Sequence, residues 1–190
     1  ICSKSLIVFI IISLMVGTFT STCLTSYTIH FTLAGYRAVS VAAFMSIYGL
    51  ALIPSKISFG LLADRFCANK INFIYFGLFL VGAVCVLLQG RYILFVPLLY
   101  FSATCVGLGN GISTAGLGVW ANELSSEQNL ERNVRFSQTF FSIGQIVGAT
   151  ITGVFADWTG DYSLSFTCVI IMVCFIFIAI QRLYKKGEVD

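Results

Sequence analysis

The stretch "IPSKISFGLLADRF", residues 53–66, places one lysine inside an otherwise apolar run. Lys56 lies eight residues before Asp64, and the nearest charged residue upstream is Arg37. A lysine at the centre of a membrane helix costs about 2.5–3.5 kcal/mol to insert. We therefore expect Lys56 to have a partner or a ligand, and the composition of the whole chain shows that the surrounding segment lies in a membrane.

The chain has 190 residues, of which 58% are hydrophobic and 10% are charged. Soluble domains carry about 25% charged residues, and a helix that crosses the hydrocarbon core needs about 20 mostly apolar residues. Six uncharged or nearly uncharged runs reach or approach this length, so the sequence predicts an all-α membrane protein with a bundle of six transmembrane helices. The predicted spans are residues 5–28, 41–63, 71–89, 92–116, 136–157 and 163–183.

The sequence also predicts how the bundle is oriented. With six spans, both termini lie on the same side, and the connections on that side carry eight basic residues against two, Arg37 and Arg91, on the other. Lysine and arginine are retained in cytoplasmic loops, so both termini and the links 64–70 and 121–135 are predicted to be cytoplasmic. The links 29–40, 89–92 and 157–162 are predicted to face outward.

The one long link is "ANELSSEQNLERNVRFSQ", residues 121–138. Ser125 or Ser126 is a candidate cap for a short surface helix, in which Glu127 and Glu131 would face Arg135. A solvated connector and a regulatory or partner-binding segment are both open readings of this link.

Small residues predict where the helices come together, because lipid supplies no hydrophobic drive between them. Gly107 and Gly111 are spaced for such contact in the fourth span, and Gly144 and Gly148 are spaced in the same way in the fifth, where Thr152 adds a turn. Polar side chains in the same two spans are predicted either to make interhelical hydrogen bonds or to contact a ligand. They are Asn110, Ser113, Thr114, Gln138 and Gln145.

Two further motifs carry a family resemblance. "GLLADRFCANK", residues 60–70, resembles the Gly-x-x-x-Asp-Arg-x-x-x-x-Lys signature of the major facilitator superfamily. "GATITGVFADWTGDYSLSF", residues 148–166, is similar to the last hairpin of the monocarboxylate porter and oxalate/formate antiporter branch. Lys56 stands where the eighth helix of that branch has an arginine, although Leu52 replaces the acid found one turn earlier in many of its members.

The resemblance implies that the chain is the C-terminal six-helix half of a twelve-helix transporter. Because it begins with Ile1, we expect the N-terminal half to be missing from this sequence. The resemblance further implies a secondary active transporter of the cell membrane that moves a small anionic solute, a carboxylate, by alternating access. The expected substrate-binding residues are Lys56, Asn110, Thr114 and Gln145, and the expected conformational latch consists of Gly60, Asp64, Arg65 and Lys70.

Other classes of function fit the sequence less well. The chain holds one histidine, His30, which we expect at the outer membrane interface, and no acid lies deep in a predicted span. We therefore expect no enzyme, no cofactor and no metal, and the seven cysteines are interpreted as packing residues. The formal charge of +3 is too scattered to predict nucleic-acid binding. The remaining alternatives are a drug or sugar carrier of the same superfamily, a non-transporting membrane protein on this scaffold, and a six-helix protein that dimerises.

Overall fold

The computed structural model describes residues 3–66, 68–92 and 94–187, and this part of the chain contains helices and no strands. The predicted all-α membrane bundle is confirmed: five helices are long and apolar enough to cross a membrane. The helices are α1 (Ser3–Leu33), α2 (Ala38–Arg65), α3 (Ala68–Arg91), α4 (Val96–Gly109), α5 (Leu117–Leu124), α6 (Glu127–Thr159) and α7 (Ser163–Gly187).

The fourth predicted span is a broken helix. A π-helical turn, Ile112–Gly116, separates α4 from α5. The backbone stays in the right-handed helical region at Asn110 (φ −75°, ψ −6°) and at Gly111 (φ −54°, ψ −27°), so the chain continues in one direction through the break. Short π-helical segments in membrane and soluble helices are frequent at functional sites.

Two predictions about this region were wrong. The span predicted at 92–116 starts at Val96, followed by a proline in the first turn, and helix continues to Leu124. The predicted long link with a short surface helix is instead a break at residues 125–126 followed by the 33-residue helix α6. Charged residues such as Glu123 and Glu131 mark the edge of the membrane, but they are good helix formers and do not end a helix.

The predicted capping and charge pairs of this region are partly confirmed. Ser126 precedes α6 but makes no side-chain cap; its hydroxyl accepts a hydrogen bond from Asn129 Nδ2 at 3.0 Å instead. Arg135 forms the predicted ion pair with Glu131. The side chain of Glu127 lies outside the described part of the structure.

The small-residue face of α6 packs closely against α1, and this is the most extensive helix pair in the fold. A Cβ atom at Gly144 would lie 2.1 Å from the carbonyl oxygen of Leu14, and one at Gly148 would lie 2.3 Å from that of Thr18. Thr152 is buried on the same face, and its hydroxyl donates to the Gly148 carbonyl at 2.7 Å. The predicted packing face of the fifth span is therefore confirmed, and its partner is the first helix.

The small-residue face of the fourth span is confirmed in the same way. A Cβ atom at Gly107 would lie 2.7 Å from the Tyr48 carbonyl oxygen, and one at Gly111 would meet the Ser55 side chain. Both contacts join the broken helix to α2. Gly109, between them in sequence, faces α3 instead, where a Cβ atom would lie 2.4 Å from the backbone nitrogen of Phe79.

Polar contacts tie the helices together at each end of the bundle. At one end, which we call the Trp120 end, Trp120 Nε1 donates to Asn72 Oδ1 at 3.1 Å and Tyr184 donates to Glu123 at 2.6 Å. At the opposite end, the Tyr36 end, the hydroxyl of Tyr36 accepts from the backbone N–H of Phe95 at 3.1 Å. The connection 125–126 and the adjoining ends of α2 and α3 share the Trp120 end. The connections 34–37 and 160–162, with the end of α3 and the start of α4, share the Tyr36 end.

His30 lies near the Tyr36 end, three residues before the end of α1, and its side chain packs into the bundle. Its side chain is only 3% exposed. The ring packs 4.8 Å from the ring of Phe166, and Nε2 lies 3.4 Å from the carbonyl oxygen of Val86. The imidazole is therefore an interior contact between α1, α3 and α7.

Candidate functional site

The exposed surface of the bundle is divided by polarity. On α3 and α7, every exposed side chain between residues 71 and 87 and between residues 168 and 181 is apolar. The helices α1, α2 and α6 instead expose polar side chains along their lengths, alongside apolar ones. We call these side chains the polar surface; they are Thr25, Thr28, Ser46, Lys56, Gln138, Ser142 and Gln145. Polar groups at membrane depth face protein or a watery cavity, so this surface is the candidate functional face of the bundle.

Lys56 is the one cation of the polar surface. The neighbouring Ser55 is buried and donates a hydrogen bond to the Leu108 carbonyl, which holds this turn of α2 against the fourth helix. Lys56 itself is exposed, and among the described residues it has no ion-pair partner. Cβ atoms added at Gly49 and Gly60, which lie seven residues before and four residues after it, would meet nothing within 4 Å. This strip of α2 is therefore open within the six-helix bundle.

The depth of Lys56 follows from the continuity of α2. The helix runs without a break from Ala38 to Arg65, although Pro54 lies inside it. Asp64 near the helix end is eight residues from Lys56, which corresponds to roughly 12 Å at 1.5 Å per residue. Because Pro54 has no N–H, one carbonyl in the preceding turn of α2 has lost its helical partner. That carbonyl belongs to Leu50, one turn before the proline.

Asn110 lies in the core instead of on the polar surface. It is 1% exposed, and its Nδ2 donates to the hydroxyl of Tyr48 at 2.5 Å. The alternative of an interhelical hydrogen bond is thus confirmed for this residue. Asn110 Oδ1 is buried and has no hydrogen-bond partner among the described residues. Exchanging the two amide atoms would leave the nitrogen unpaired instead. Tyr48 was not predicted from the sequence, because a tyrosine in an apolar run carries no signal for this contact.

The four predicted substrate-binding residues do not form one cluster in this structure. Thr114 is half-buried in the π-helical turn, and Gln145 is exposed on α6 beside Gly144. No hydrogen bond joins any two of Lys56, Asn110, Thr114 and Gln145 within the described residues. Lys56 and Gln145 share the polar surface, whereas Asn110 belongs to the contact between the fourth helix and α2.

The predicted latch residues lie together at the turn between α2 and α3. Asp64 is the penultimate residue of α2, Arg65 is its last residue, and Lys70 is in the first turn of α3; all three side chains are exposed. Gly60 lies one turn earlier on the open strip of α2. A carboxylate at a helix C-terminus opposes the helix dipole, and Asp64 has no ion-pair partner within the described residues.

A comparison with family models agrees with this architecture. The model of the Major Facilitator Superfamily matches residues 5–189, which is nearly the whole chain. The chain belongs to the major facilitator superfamily. A search of curated proteins found no match. As a major facilitator protein, it is a multi-pass membrane protein of a transporter family that handles small-molecule substrates, and not a member of an enzyme family.

Proposed function

We propose that this major facilitator protein is a secondary active transporter of a small organic anion, and that Lys56 binds the carboxylate. The observation that carries the proposal is an exposed lysine, roughly 12 Å inside a membrane helix, with no ion-pair partner in the described residues. A bound anion would offset the cost of placing this charge in the membrane.

The direction of the side chain argues against a lysine that merely reaches for interfacial water. Side chains in a helix lean toward its N-terminus, and α2 starts at the Tyr36 end. Lys56 therefore leans away from the nearer Trp120 end and toward the middle of the membrane. An ammonium group there is available to a solute in the pathway.

The polar surface is the proposed boundary with a second six-helix half, and the substrate would lie between the two halves near the bilayer midplane. Thr114 and Gln145 would contact the uncharged part of the solute, and Asn110 would join them when the fourth helix moves at its π-helical turn. Alternatively, a second copy of this bundle would cover the polar surface. Analytical ultracentrifugation in detergent would distinguish a monomer of the complete protein from a dimer.

The proposed orientation places the Trp120 end in the cytoplasm of the cell. This end collects the basic residues of the connections, including Arg65, Lys70, Arg132 and Arg182, and basic residues are retained inside. Gly60, Asp64, Arg65 and Lys70 would then form a latch that stabilises one of the two transport conformations, with Asp64 meeting the N-terminus of a neighbouring helix.

A drug or sugar carrier is the second candidate. An uncharged solute would rely on hydrogen bonds from Asn110, Thr114 and Gln145 and would not need the cation. The two candidates differ in their dependence on Lys56, and this difference sets the experiment. A non-transporting protein on the same scaffold would show no uptake of either class of solute.

The test is uptake by proteoliposomes that contain the full-length protein, with a panel of short-chain mono- and dicarboxylates and a matched panel of sugars. Lys56→Gln should lower kcat/KM for the transported carboxylate about 10- to 150-fold, the worth of a hydrogen bond to a charged group. Lys56→Arg should retain part of the activity. Lys185→Gln, which removes an exposed lysine near the end of α7, is the control and should transport normally. Wild-type kinetics in Lys56→Gln, or uptake of sugars alone, would refute the carboxylate proposal.

A further inference from the structure

A groove of about 490 Å³ lies at the Tyr36 end, between the end of α3, the end of α6 and the start of α7, and none of its lining residues belongs to the polar surface. Its apolar wall consists of Leu87, Leu88 and Leu164, and its polar rim includes Tyr92, Asp161 and Thr167. The volume is within the range of small-molecule sites. The groove has no role in the proposed transport mechanism.

The position of the groove indicates that its occupant comes from the lipid. Leu88 and Leu164 are exposed at the ends of α3 and α7, and every exposed side chain between residues 71 and 87 and between residues 168 and 181 of these helices is apolar. An acyl chain that lies along α3 and α7 would therefore continue directly into the apolar wall. A water-soluble ligand would have to displace lipid from the same wall.

The charge of the rim defines the headgroup. Asp161 Oδ1 accepts a hydrogen bond from the backbone N–H of Ser163 at 3.0 Å, which fixes the carboxylate at the start of α7. A carboxylate beside an apolar wall complements a cation carried on an apolar tail. A primary ammonium group has three N–H donors for carboxylate oxygens, whereas a quaternary ammonium group has none.

We propose that this groove binds a phospholipid with a primary amine headgroup, phosphatidylethanolamine, with its ammonium group at Asp161 and an acyl chain along Leu88 and Leu164. Arg91, the last residue of α3, precedes the groove-lining Tyr92 in the sequence, and its side chain lies outside the described part. The lipid would join α3 to α7 without contact to any residue of the polar surface, so its binding does not depend on the identity of the solute.

The experiment is native mass spectrometry of the full-length protein, titrated with phosphatidylethanolamine, phosphatidylcholine or phosphatidylglycerol of identical acyl chains. The wild-type protein should retain phosphatidylethanolamine preferentially. Asp161→Asn should bind this lipid about tenfold more weakly and lose the preference. The substitution keeps an oxygen that can accept from the Ser163 N–H, so the start of α7 should remain intact.

Asp157→Asn is the matched control, because it removes the other acid at this end of the bundle, an exposed residue of α6 that is not among the groove-lining residues. It should bind lipids as the wild type does, as should Lys56→Gln. The proposal is overturned if the wild type retains the three lipids equally, or if Asp161→Asn keeps the wild-type preference. Thermal unfolding of Asp161→Asn in lipid-free detergent should match the wild type, which would confirm that any change arises from lipid binding.

Discussion

Gly144→Ala tests whether the close contact between α1 and α6 holds the bundle together. The added Cβ atom would lie 2.1 Å from the backbone oxygen of Leu14, whereas real Cβ atoms essentially never approach closer than 3.0 Å. The two helices must therefore separate by at least 0.9 Å, the difference between these distances. No side-chain rotation can relieve the clash, because the opposing atom belongs to the backbone of α1.

The expected cost can be isolated with a matched glycine of the same helix. A Cβ atom at Gly153, nine residues later on α6, would meet nothing within 4 Å. Both substitutions gain about 0.5–1 kcal/mol from the better helix propensity of alanine, so this term cancels in the comparison. Overpacking typically costs 1–3 kcal/mol, and we expect Gly144→Ala to be less stable than Gly153→Ala by about that amount.

The assay is reversible unfolding of the full-length protein in mixed micelles with increasing sodium dodecyl sulfate, followed by far-ultraviolet circular dichroism. Gly144→Ala should shift the midpoint to a lower detergent fraction than Gly153→Ala, with little change in slope. Equal midpoints for the two variants would show that the backbones of α1 and α6 are not in contact at this position, and the described packing of the first helix would be wrong.

Two further predictions concern orientation and the latch. The first uses single cysteines in a background without the natural ones. Arg37→Cys at the Tyr36 end should react with a membrane-impermeant maleimide in intact cells, and Gln128→Cys at the Trp120 end should react only after permeabilisation. The reverse pattern would invert the proposed topology. Asp64→Asn should lower the transport rate at least about tenfold, as expected for loss of a charge-assisted contact, and the amount of inserted protein should stay constant. Unchanged rates of uptake and efflux would exclude a latch at this position.

The spans were predictable because one physical term dominates them. The cost of a charge in hydrocarbon leaves long uncharged runs, and these runs predicted the all-α membrane bundle, in which five of the described helices are long and apolar enough to cross a membrane. The helix ends were less predictable, since the membrane edge and the helix end are different boundaries. Glu123, Glu131 and Arg135 lie outside the apolar runs and nevertheless continue helices.

The packing was predictable in kind but not in partner. Gly144 and Gly148 indicated a close helix contact, yet nothing in their spacing identified α1 as the neighbour, because this pairing joins the first and fifth spans. The same limit applies to the candidate site. A sequence shows that Asn110 and His30 are polar, but only the arrangement of the neighbouring helices shows that both are buried against aromatic side chains, Tyr48 and Phe166.

The pairing of α1 with α6 has a consequence for biosynthesis. The hydroxyl of Thr22 donates to the carbonyl of Gly148 across 126 residues, a distance that a ribosome working at about 5–20 residues per second covers in roughly 6–25 s. During this interval α1 must remain in the bilayer without its contact to α6. Its mean hydropathy is higher than that of α6, which has the lowest value of the five spanning helices. The helix α1 can therefore stay in the membrane as an independent span. The less apolar α6 enters the membrane when α1, the helix that it packs against, is already in place.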